Sequence, residues 1–189
     1  MTSIIKVDQI QLADGTAPTA ADLSLNTSGT ILQVGNAVFT DTMSVGTGSW
    51  TDITNLNVSL TPKSTSSKFI LCPSVSISCD YFSMGFRILR DNSTQSDYLA
   101  SNYGSRIATT GHVNPYKAGD TTGSNSYQAF YIGGSYGDNT SAPDTTTSIT
   151  WKVQAWCYNG GQINRGDSDS DTSSYAQSCS SFVVYEVEK

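Results

Sequence analysis

Residues 57–80 read NVSLTPKSTSSKFILCPSVSISCD, and the spacing of their apolar side chains decides the fold class. Leu56, Val58 and Leu60 alternate with polar residues, Pro62 and the polar run from Lys63 to Lys68 interrupt, and alternation resumes through Phe69, Leu71, Val75, Ile77 and Cys79. This period belongs to a pleated strand, which turns alternate side chains to opposite faces. Two strands joined by a polar turn are therefore predicted. A helix through 61–67 is excluded, because Pro62 lacks a backbone donor and the Ser/Thr hydroxyls compete for main-chain partners.

Working outward, the same signal recurs at 30–39 (with a break expected at Gly35-Asn36), 50–60, 69–81, 84–90, 127–132, 149–158 and 181–187. In MGFRILR, Met84, Phe86 and Ile88 fall on one side and Arg87 and Leu89 on the other, and Asp91-Asn92 supplies a turn. Seven or eight strands result, without a helical pattern of useful length. The composition agrees: 16 Gly, 10 Tyr and abundant Ser, Thr and Asn suit short strands and tight turns.

The chain of 189 residues, 37% hydrophobic and 14% charged, is long enough for one domain with a sizeable core and a short appendage. A net charge of −6 and the lack of a basic stripe exclude a nucleic-acid backbone as partner. Neither a leader-type N-terminus nor an apolar run of bilayer length is present, so a soluble protein made in a cytoplasm, without membrane insertion, is expected. Residues 1–28 are read as an attachment arm and 29–189 as the folded body. Ile4, Ile5, Val7, Ile10 and Leu12 give the arm apolar contacts that bury too little to fold alone, so it needs a larger surface to dock on.

Two intervals, 93–126 and 133–147, are rich in Ser, Thr, Gly, Asn and Asp and carry Tyr98, Tyr103, Tyr116 and Tyr136. Long loops on a rigid scaffold are places for recognition, and tyrosine offers area, stiffness and a hydroxyl together. These four tyrosines are the expected contacts to a host glycan or protein; capping the sandwich or lining a subunit interface is the competing role for them.

Catalytic signals are lacking. The single histidine, His112, sits in TTGHVNPY with no acid or cysteine at relay spacing, and is read as solvated. Nucleophile-elbow, P-loop and HExxH elements are missing too. Asp167, Asp169 and Asp171 in GDSDSD resemble the start of a calcium loop, but Thr172 and Ser178 stand where its Gly and Glu are needed. A solvated acidic loop is expected there, with a divalent cation such as calcium as the alternative, and no cofactor otherwise. Glu186 and Glu188 share a face of the last strand and are read as solvated, not as a catalytic pair. Cys72, Cys79, Cys157 and Cys179 lack zinc spacing and are read as reduced core residues, with disulfides open to a particle that ends up outside the cell.

The segments IKVDQIQLADGTAPTAADL, GTILQV, SLTPKSTSSKFILCPSVSIS, FRILRDNST and SFVVYEVEK together resemble small structural proteins of marine tailed phages, cyanophages in particular. Proteins of that kind are tail-fibre-like or head-decoration components. Their C-terminal part is similar to the trimeric jelly rolls of complement globular heads and tumour-necrosis-factor-like ligands. The resemblance implies an antiparallel jelly-roll β-sandwich, a homotrimer, other tail or capsid proteins as partners, and a place on the virion surface. It brings no catalytic residues, and a glycan depolymerase is the enzymatic alternative. One physical consideration points the same way. In ITWKVQAWCY, Ile149, Trp151, Val153 and Ala155 fall on one face and Trp156 and Tyr158 on the other, so a second apolar face needs covering, and a closed ring of copies covers it.

Overall fold

Val58 and Leu60 end one strand and Phe69 and Leu71 begin the next, with the polar turn of Pro62 to Ser67 between them. The computed structural model describes residues 11–17, 28–79, 83–94, 98–101, 104–114, 130–138, 147–166 and 176–189. Among these residues the chain is all-β. In order the strands are β1 (Ile31–Phe39), β2 (Met43–Val45), β3 (Thr51–Leu60), β4 (Lys68–Cys79), β5 (Met84–Arg90), β6 (Ser93–Thr94), β7 (Gly111–Val113), β8 (Phe130–Gly133), β9 (Tyr136–Asp138), β10 (Ile149–Cys157), β11 (Gly161–Ile163) and β12 (Ser180–Val187).

Two antiparallel sheets stack as a β-sandwich. The first runs β1-β12-β4-β11-β2, with β8 and β9 on the opposite edge of β4; the second runs β3-β10-β5-β6, with β7 also on β5. Their facing sides hold the core. Phe69 and Trp151 meet across it with ring centroids 4.5 Å apart, surrounded by Leu56, Leu71, Ile77, Phe86, Ile88 and Phe182. Alternation along β10 holds from Ile149 to Ala155, with Ile149, Trp151, Val153 and Ala155 all buried, and gives way at the end to the buried Trp156 and Cys157. At Asp91-Asn92 both residues have positive φ, 48° and 66°, which matches the type I′ turn favoured between twisted strands.

The strand at 30–39 is unbroken. Its pairing to β12 continues through Gly35↔Val184 and Asn36↔Val183, and the glycine serves packing instead. A Cβ there would stand 2.5 Å from Val58 Cγ1 and 2.9 Å from Leu60 Cδ2, so its absence lets β1 close over β3. The short strands β2, β6, β7, β9 and β11 have only two or three residues each, too few to display a period.

Glu186 departs most from the sequence reading. It does fall on the same side of the strand as the half-buried Glu188, but that face of β12 is the inner one, and Glu186 is 0% exposed. Oε1 accepts from Lys63 N at 2.8 Å, Ser64 N at 3.3 Å and Ser67 Oγ at 2.5 Å. Oε2 accepts from Gln33 Nε2, which also donates to Thr61 O. A carboxylate satisfied by several donors tolerates burial, and this one fastens the turn between β3 and β4 to β1 and β12.

Candidate functional site

The outward faces of the two sheets differ in chemistry, and the register shows how. On the first sheet Val34 stands opposite Tyr185, which stands opposite Ile70; Val183 stands opposite Cys72, and Ile31 opposite Val187. Ile31, Val34 and Val38 are 56%, 52% and 51% exposed, well above what a monomer's surface requires of such residues. With the half-buried Val183, Tyr185 and Val187, they make a largely apolar face across β1, β12 and β4, interrupted by the exposed Asn36 opposite Val183. β1 is also the edge strand of this sheet.

The second sheet presents polar side chains outward, so the face of β10 that carries Trp156 and Tyr158, expected from the sequence to be an apolar one covered by copies, is instead polar along Thr150, Lys152 and Gln154 and aromatic only at its end. Asp52, Asn57 and Ser59 on β3 run beside Thr150, Lys152 and Gln154 on β10, and Arg87 on β5 stands opposite Gln154. These groups are bonded in sequence. Lys152 Nζ donates to Asp52 at 2.8 Å, Gln154 Nε2 donates to the same carboxylate, and Arg87 Nε donates to Gln154 Oε1 at 2.7 Å. The Arg87 guanidinium lies 4.3 Å from the centre of the Trp50 ring. Burial raises the Asp52 carboxyl, but the hydrogen bonds from Lys152 and Gln154 and the nearby positive charges outweigh it and hold the group below its ordinary value. Partial burial lowers Arg87, and Asp52 opposes that shift. Beyond Gln154 on the same strand, Trp156 is buried and meets Tyr158 edge-on at 6.5 Å, while Tyr158 is 53% exposed.

Of the arm residues expected to attach, Ile4, Ile5, Val7 and Ile10 lie outside the described residues. Leu12 is exposed in a self-contained turn, where its N–H donates to Thr16 O at 2.8 Å and Gly15 N donates to Leu12 O. Both the N–H and the hydroxyl of Thr16 donate to Asp14, which holds that carboxyl below its ordinary value. Of the expected contact tyrosines, Tyr103 and Tyr116 lie outside the described residues, and the other two pack inward. Tyr98 is 4% exposed within the core, and the half-buried Tyr136 meets Phe86 edge-on at 6.2 Å, with its hydroxyl pushed up by burial. Tyr98 thus belongs to the core and Tyr136 packs against it.

Asp167, Asp169 and Asp171 lie outside the described residues; among the described ones no group of three or more His, Cys, Asp or Glu side chains converges. His112 is exposed on β7 opposite Gly85. Cys79 and Cys157 are buried, as expected of core cysteines, whereas Cys72 is half-buried on the apolar face and Cys179 is exposed; all four are free thiols. Among the described residues no helix is long and apolar enough to cross a membrane.

Sequence reading missed Trp50, Asp52, Arg87 and Gln154 as a group. Trp50 and Asp52 adjoin on one segment while Gln154 and Arg87 come from two others, and only the β3-β10-β5 register brings them together. Comparison with known proteins adds no identification, since no family model and no curated protein matches the chain.

Proposed function

We propose that this chain is a non-enzymatic structural module of a tailed-phage virion, a homotrimeric jelly roll that acts as a tail-fibre or receptor-binding surface element. The observation that carries the reading is the apolar outward face of β1, β12 and β4, set against a polar outward face on the other sheet. A sandwich in water with one oily and one wet exterior reduces its free energy by covering the oily side, and rotational symmetry does so without leaving an open end. The strand order supports a jelly roll. Its pairs nest in sequence, β1 with β12 in one sheet and β3 with β10 in the other.

Attachment is assigned to residues 1–28. Backbone pairing of the body begins at Gly29, whose N–H donates to Glu188 O, so the start of the body and the C-terminus share one end of the sandwich. Apolar residues of the arm would dock on tail or capsid proteins, and three arms on one trimer add avidity. Light scattering of the purified chain should give three times its 20.1 kDa mass. Val34→Lys combined with Val183→Lys should give a folded monomer. A wild-type chain that stays monomeric at high concentration refutes the assembly. Antibody label on intact particles then places it: label on the tail supports the fibre reading, and label confined to capsid symmetry axes replaces it with a head-decoration protein.

A further inference from the structure

We propose that the outward ridge of the second sheet, formed by Trp50, Arg87, Trp156 and Tyr158, is a binding site for an acidic saccharide, a uronic acid within a longer glycan. The inference extends the surface-module reading and rests on its assignment of the second sheet to the outside of the assembly. Thr51 pairs with Ala155, so Trp50 and Trp156 are next along their strands on the outward face, at the end of the sandwich away from Gly29 and Glu188. Tyr158 lies one step further, exposed and braced edge-on by Trp156. Tyr158 is the exposed ring at this rim, with the buried Trp156 behind it and Trp50 beneath Arg87, and a stiff exposed ring is a stacking surface for the apolar face of a sugar, with little entropy lost on contact.

The charges explain why the sugar is acidic. Lys152 and Asp52 neutralise each other, and Gln154 spends its amide nitrogen on Asp52 and its amide oxygen on Arg87 Nε. Arg87 is thereby fixed in direction by Gln154 and lies over the Trp50 ring. Among the described residues its terminal nitrogens have no acceptor, leaving one positive charge and a two-pronged donor that matches a carboxylate. An arginine held by a hydrogen bond on one side and a ring below pays little ordering cost on binding. The overall charge of −6 disfavours an anion at long range, so this preference is a local one and should survive moderate salt.

The test is calorimetric titration of the full chain with oligogalacturonate and oligomannuronate, and with maltose- and cellulose-type oligomers of the same length. Acidic oligomers should bind and neutral ones should bind at least about tenfold more weakly, the factor of one lost charge-assisted pair. Tyr158→Ala, at an exposed position, should weaken binding about tenfold by removing the stacking ring. Arg87→Lys keeps the charge and loses the fork, and should also weaken it about tenfold. The inference falls if neither uronate binds at millimolar concentration, if neutral oligomers bind equally well, or if both variants bind as the wild type does. Light scattering on the same samples keeps the two readings apart. A trimer that binds no uronate sinks this site alone, and a monomer that binds uronate sinks the assembly alone.

Discussion

Replacing Glu186 by glutamine tests whether a buried carboxylate organises the turn that sequence reading placed at the centre of the fold. Gln33 Nε2 donates both to Thr61 O and to Glu186 Oε2, so its nitrogen has to face both acceptors. In Glu186→Gln the new side chain has two orientations. If its oxygen stays with Lys63 N, Ser64 N and Ser67 Oγ, its NH2 faces the NH2 of Gln33; if it flips, its NH2 faces three donors. Turning Gln33 to relieve the first clash sets its oxygen against Thr61 O. No orientation satisfies the group. Weakening three charge-assisted bonds to neutral ones costs about 1 kcal/mol each, and an unmet donor pair about 1–3 kcal/mol more. Relief of the desolvation penalty of a buried charge offsets part of this, leaving a net loss of about 3 kcal/mol. Urea unfolding followed by tryptophan fluorescence, at fixed protein concentration, should then show a midpoint lowered by about 1–2 M with unchanged slope. Glu188→Gln, two residues on, should stay within about 0.5 kcal/mol of wild type. Adding Gln33→Ala to Glu186→Gln should cost less than the sum of the single changes, because it removes one side of the clash. A Glu186→Gln protein within about 1 kcal/mol of wild type, or strict additivity with Gln33→Ala, refutes the clamp.

Other outcomes follow from packing and charge. Gly35→Ala should lower stability by about 1–3 kcal/mol by overpacking against Val58 and Leu60, read as a lowered urea midpoint; a neutral effect would mean that β1 does not close over β3 as described. The folded-state value of Asp52 lies below its ordinary 3.8, so its small contribution is fully present above that value and is lost as pH falls through the folded one. The stability difference between wild type and Asp52→Asn, about 0.5 kcal/mol for so exposed a pair, should therefore hold at neutral pH and vanish in strong acid. Deleting residues 2–25 should leave a folded oligomer that no longer joins particles; a deletion that unfolds the chain shows instead that the arm belongs to the body.

Long strands were legible because each runs far enough for alternation to repeat. β3, β4, β5, β10 and β12 all stand within two residues of the spans read from hydrophobic period alone. What escaped depends on partners remote in sequence. Gly35 looked like a break because glycine weakens a strand in isolation, and only Val58 and Leu60 across the sandwich explain its presence. Glu186 looked solvated because a charge on a strand usually is, and its donors come from residues more than a hundred positions away. Tyr98 and Tyr136 were read as contact residues, with capping or an interface as the competing role, because the intervals around them are polar, yet a tyrosine in a polar segment can be the residue that pins the segment to the core.

The two outward faces can be compared residue by residue, and the comparison separates assembly from recognition. Val34, Tyr185 and Ile70 form a row that gains from losing water and has few hydrogen bonds to lose. Asp52, Gln154 and Arg87 form a row whose polar atoms are already paired, with one guanidinium fork left over. Covering the second row with another copy of the chain would bury that fork without an acceptor, at the cost of an unpaired charge. Covering the first row strands no charged group, since Val34 and Ile70 are aliphatic and Tyr185 is neutral. Self-association is therefore directed to β1, β12 and β4, and a ligand of opposite charge to β3, β10 and β5. Exchanging the chemistry of the rows, with lysine at Val34 and leucine at Arg87, should weaken self-association through the first sheet and abolish uronate binding on the second. Loss of only one of the two properties would mean that the faces do not divide the work in this way.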